Sequence, residues 1–155
     1  MPKAALFLCI ALLVAACGRS FATSSTSQSQ LAPEDALKCV MDQFKKLKFQ
    51  RASYDTESFR TTGRRVNPKI TFSNVQFRKT WDRLDVEITP GASGTDLKVT
   101  PSTAAEYFSQ AGQTYNQLET SKDAQEAATT IQRECSSASA APLESTPSSS
   151  SPQPQ

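Results

Sequence analysis

Apolar residues recur at helical spacing from Pro33 onward, with Ala36, Leu37, Val40, Met41, Phe44 and Leu47 on one stripe of a helical wheel. Pro33 suits a first turn, and Glu34 and Asp35 oppose the positive end of the helix dipole. A second stripe, Ala124, Ala127, Ala128, Ile131 and Cys135, predicts a helix starting near Asp123, where Asp123 and Glu126 have capping-box spacing. Between the two the period changes to alternation. Leu84, Val86 and Ile88 face one way, and Arg83, Asp85 and Glu87 the other, as in a half-buried strand.

Pro90, Gly91 and Gly94 mark a turn, and Leu97 and Val99 alternate again, which predicts an antiparallel hairpin of strands 82–89 and 95–100. The parity of apolar positions shifts twice upstream, from Ile70 and Phe72 to Val75, Phe77 and Trp81, then to Leu84; bulges are expected near Asn74 and Asp82. A weaker strand covers roughly 49–61, with Gly63 at the turn before Val66. The stretch 101–118 fits both periods, as a helix through Ala104, Ala105, Phe108, Ala111, Tyr115 and Leu118 or as an extension of the strand.

The N-terminus carries Lys3, an apolar run from Ala4 to Leu13, and then Val14-Ala15-Ala16-Cys17. This layout is that of an export signal, and its last four residues resemble the lipobox of bacterial lipoproteins. The resemblance covers residues 1–17. It implies cleavage before Cys17, a diacylglyceryl group on its thiol, and a protein held on a membrane of the cell envelope. Gly18, rather than aspartate, implies passage to the outer membrane where the cell has one. An alternative cleavage after Ser20-Phe21-Ala22 would give a soluble secreted protein.

With Cys9 and Cys17 in the signal, Cys39 and Cys135 are the only pair left. An exported chain meets an oxidising compartment, so a Cys39–Cys135 disulfide is expected. Residues 18–30 and 137–155 are rich in Ser, Thr, Gln and Pro and poor in apolar residues. The expected organisation is an export signal over 1–16, a flexible tether over 17–30, one domain over 31–136 and a disordered tail over 137–155. The expected fold is α+β: a small antiparallel sheet of three or four strands, with N- and C-terminal helices packed on one face and joined by the disulfide.

Charge is segregated along the chain. From Lys45 to Lys79 ten basic residues face Asp55 and Glu57; from Thr80 onward four basic residues face ten acids. Beside a membrane the basic segment would attract anionic headgroups or wall polymers, and Arg60, Arg64 and Arg65, placed at a loop, are the candidate anionic contact. The competing account pairs Arg51 or Arg60 with Asp85 or Glu87 across neighbouring strands, each pair contributing about a few tenths of a kcal/mol.

Enzyme chemistry finds no footing. The chain has no histidine, Ser53 and Ser58 have no identifiable base, and the carboxylates Asp82 and Asp85 read as strand solvation. No metal-ligand spacing, P-loop, dinucleotide fingerprint or nucleic-acid signature is present. The expectation is a non-catalytic envelope lipoprotein, needing no cofactor or metal, whose partners are the membrane through its lipid and an envelope protein or anionic polymer, not nucleic acid. A soluble secreted binding module is the alternative, and an envelope enzyme a more remote one.

Overall fold

The computed structural model describes residues 22–92 and 94–137. Cys17 and the export signal, like most of the expected tail, lie outside the described residues. In chain order the elements are β1 (Ser25–Ser29), α1 (Pro33–Lys46), β2 (Gln50–Asp55), β3 (Arg60–Val66), β4 (Phe77–Gly91), β5 (Gly94–Ser109), β6 (Gly112–Leu118) and α2 (Lys122–Ser137). Every strand pairing is antiparallel, in the order β1-β5-β4-β3-β2, with β6 also on β5.

This corrects the expected fold. The sheet has six strands, not three or four, and a strand precedes α1, so the picture of a small sheet capped by N- and C-terminal helices does not hold. The strands that escaped the hydrophobic pattern are held by their backbones. β2 is exposed at every position, and β6 is nearly so. β1 uses Ser and Gln: Ser25 Oγ donates to Gln132 Oε1, Ser29 Oγ donates to the Cys135 carbonyl, and Ser27 bonds Ser136. Ladder and hydroxyl bonds thus order Ser25–Ser29, which was expected to lie within a flexible tether. Residues 101–118 are strand apart from the turn at 110–111, because β5 continues along β4 as far as Tyr107 and β6 pairs back onto it.

The core forms where Leu37, Val40 and Phe44 of α1 and Ala127, Ala128 and Ile131 of α2 meet Leu84, Val86, Ile88, Leu97 and Val99. Burying each large side chain is worth about 1.5–3 kcal/mol. Cys39 and Cys135 are bonded to one another, with their Cα atoms 5.8 Å apart. Two local expectations also change. The turn between β2 and β3 falls at residues 56–59, where Asp55 accepts bonds from the Glu57 and Ser58 amides; Gly63 sits inside β3, facing the Phe44 ring. The cap of α2 is Ser121, whose hydroxyl accepts the Ala124 amide, and Asp123 instead pairs with Lys69.

Candidate functional site

Alternation in the strands assigns each side chain to one of two faces. On β4, Thr80, Asp82, Leu84, Val86 and Ile88 are buried toward the core, which places Lys79, Trp81, Arg83, Asp85 and Glu87 on the opposite face. Register adds Arg60, Thr62 and Arg64 from β3, and Lys98, Thr100, Ser102, Ala104 and Glu106 from β5. No helix among the described residues covers this second face. An open concavity of about 700 Å³ lies on it, lined by Thr62, Arg64, Trp81, Arg83, Ser102 and Tyr115 among others.

Trp81 organises this concavity. Its indole N–H donates to the Glu106 carboxylate, which fixes the ring. The Arg64 guanidinium carbon lies 4.8 Å from the ring centre and Lys79 Nζ 4.6 Å from it, distances at which the ring quadrupole attracts a cation. Arg83 stands opposite Arg64 in the ladder and pairs with Asp85 at 2.7 Å. Neither Arg64 nor Lys79 has an ion pair with a carboxylate among the described residues. The indole therefore holds two cations next to a third, with the Glu106 carboxylate on its N–H opposite Lys79 and Asp85 paired with Arg83.

Toward the β4–β5 turn the same face is neutralised. Arg60 bonds Glu87, and the bond together with the guanidinium charge holds that carboxyl below its ordinary range. Lys98 lies 3.8 Å from Glu87, and Thr62 Oγ1 donates to Asp85 at 2.6 Å.

The three arginines proposed from sequence do not form one contact, and they lie within a strand rather than a loop. Arg60 and Arg64 share the open face, at its neutralised and cationic parts respectively. Arg65 points the other way, against the Phe49 ring at 4.5 Å, donating to the Leu47 carbonyl and reaching Asp82 at 3.4 Å. Alternation alone forbids neighbours 64 and 65 from serving one face.

Asp82, read from sequence as an exposed acid beside Asp85, has no exposed surface. Asn67 Nδ2, Thr103 Oγ1 and Ser121 Oγ donate to it, at 3.1, 3.0 and 2.7 Å. It is a structural hub joining β3, β4, β5 and the start of α2. The bulge expected near it is absent, since pairing runs unbroken from Lys79 to Gly91; the irregularity lies between Phe77 and Lys79. Trp81 is the residue that sequence reasoning missed. Its shared parity with Arg83, Asp85 and Glu87 was the available signal, because an unbroken strand puts all four on one face.

Among the described residues, no three His, Cys, Asp or Glu side chains gather as metal ligands would, and no helix is long and apolar enough to cross a membrane. No family model and no curated protein matches the chain. The chain is similar to a solved structure of a DUF4468 family protein from Bacteroides ovatus ATCC 8483, at 10% identity over 73% of this chain and 75% of that one, with a TM-score of 0.37.

Proposed function

We propose that this protein is a non-catalytic binding module of the bacterial cell envelope, anchored through lipid on Cys17, and that its open sheet face receives an anionic polymer. The observation that carries the binding reading is the trio Arg64, Lys79 and Arg83 around Trp81, on a face that no helix among the described residues covers. Cations held on an aromatic ring are already ordered, so contact with acidic groups costs little further side-chain entropy. A six-stranded face also offers length, which suits a repeating polymer better than a compact ligand. The anchor reading rests on Val14-Ala15-Ala16-Cys17. A non-catalytic role is in keeping with the engagement of the face's carboxylates: Asp85 is bound by Arg83 and Thr62, Glu87 by Arg60, and Glu106 by Trp81.

The test is co-sedimentation of the purified mature protein with cell-wall fragments, comparing wild type with Arg64→Gln/Lys79→Gln. Binding at low salt should weaken by roughly thirtyfold in the variant, at about 1 kcal/mol for each of the two charges removed, and wild-type binding should fall as salt rises. Equal binding by the two proteins would reject the open face as the site.

A further inference from the structure

The end of the sheet where β4 begins and β5 ends differs in chemistry from the rest of the surface. Val75 is 93% exposed, Phe108 53% and Phe72 40%. These apolar groups are mounted rather than loose. Phe72 packs edge-on against Phe77 at 5.4 Å, both rings contact Tyr107, and the Arg78 guanidinium lies over Phe108 at 5.8 Å while donating to the Val75 carbonyl. Residues 67–80 contain Lys69, Arg78 and Lys79 and no acid, and residues 107–118 contain no charged residue at all. The acids Asp85, Glu87 and Asp96 lie toward the opposite, β4–β5 turn end, and Glu106, opposite Lys79, is engaged by the Trp81 indole. Exposed aromatic and aliphatic groups beside Arg78, which has no ion pair with a carboxylate among the described residues, match the two layers of a bilayer surface, apolar beneath anionic.

The described chain starts from an edge strand that, traced backward, runs toward this end. β1 runs antiparallel to β5, with Ser25 opposite Val99 and Ala22 bridging Ser102, so from Ser29 back to Ala22 the chain runs in the direction of Phe108. β6 takes over that edge of β5 from Thr103 onward. Whatever its conformation, the segment from Cys17 to Ala22 spans at most about 18 Å, close to the roughly 20 Å that β5 covers from Ser102 to Phe108. A lipid on Cys17 would therefore lie within one short span of Ala22, a reach comparable to the distance from Ser102 to Phe108.

We infer that the end formed by Phe72, Val75, Arg78 and Phe108 docks onto the anionic headgroup surface of the membrane that holds Cys17, fixing the domain's orientation there. This rests on the anchor reading of the proposed function. Docking would add orientation to an anchor whose two acyl chains already hold the protein at the membrane.

The test is hydrogen–deuterium exchange on the mature protein isolated from its host, in detergent and reconstituted in phosphatidylglycerol/phosphatidylethanolamine or pure phosphatidylcholine vesicles. Amides of 72–78 and 107–111 should exchange several-fold more slowly on the anionic vesicles than in detergent. Val75→Ser/Arg78→Gln should remove that protection while leaving the exchange of α1 and β4 core amides unchanged. Equal exchange in all three media would overturn the inference, as would protection arising in detergent with rising protein concentration, the mark of a second copy on this end. Mass spectrometry of the N-terminus reads the anchor separately. An unacylated start at Thr23 would overturn the anchor; docking would then be decided by co-sedimentation of that protein with the same anionic vesicles, about tenfold weaker in the double variant if the end docks and absent in wild type if it does not.

Discussion

The Phe44 ring lies so close to Gly63 that a Cβ at position 63 would sit 2.9 Å from its Cε2 and Cζ atoms. β3 thus tolerates α1 at this distance because one of its residues has no side chain. Gly63→Ala should destabilise the protein by about 1–3 kcal/mol through overpacking. Measured by denaturant unfolding, the cost should shrink in a Phe44→Leu background, since contacting residues are not additive. An equal cost in both backgrounds would show that the ring is not the obstacle.

The bond between Cys39 and Cys135 spans 96 residues of sequence. A loop of that length limits the unfolded chain by about 4–5 kcal/mol in the entropic model, with measured values often lower. Cys39→Ser/Cys135→Ser should lower the melting temperature by many degrees. Reducing agent should do the same to the wild type and nothing further to the double variant.

Asp82 and Asp85 are three residues apart and on opposite faces, and their removal should differ accordingly. Asp82→Ala leaves Asn67, Thr103, Ser121 and Arg65 without their shared acceptor, and should cost about 3–5 kcal/mol. Asp85→Ala should cost under about 1 kcal/mol, because its pair with Arg83 is largely exposed. Unfolding midpoints of the two variants check the ranking.

Glu87 titrates below its ordinary value near 4.5, first through its hydrogen bond to Arg60, then through the Arg60 charge. A folded-state value that is depressed contributes stability present above the ordinary value and lost as pH falls through the lower folded one. Carboxyl NMR should find Glu87 still charged somewhat below pH 4.5. Arg60→Gln should move that titration upward and weaken the dependence of stability on pH in the same window.

Much of the core was legible in the sequence, and most of the sheet was not. The stripes ending at Phe44 and at Cys135, and the alternation from Leu84 to Ile88, report burial, which apolar side chains record directly. β1, β2 and β6 bury little, and their order comes from ladder bonds and from hydroxyls such as Ser29, so residues like Gln50–Asp55 read only as a weak strand. Trp81 misled for the reverse reason: a large apolar residue on the open face looked like a break in parity. Of the arginine site, Arg64 finds a place in the concavity, whereas Arg60 is paired with Glu87 and Arg65 belongs to the Asp82 network. The polar partner that separates Arg65 from Arg64, a fully buried Asp82, has no hydropathic signature.

The open face is the centre of the functional account, and titrating isotope-labelled mature protein with solubilised cell-wall fragments at low salt tests it residue by residue. The account predicts chemical-shift changes that saturate, that cluster on Arg64, the Trp81 indole, Arg83 and Tyr115, and that diminish as salt screens the cations. An absence of shifts at low salt, or shifts confined to the outer surfaces of α1 and α2, would contradict it.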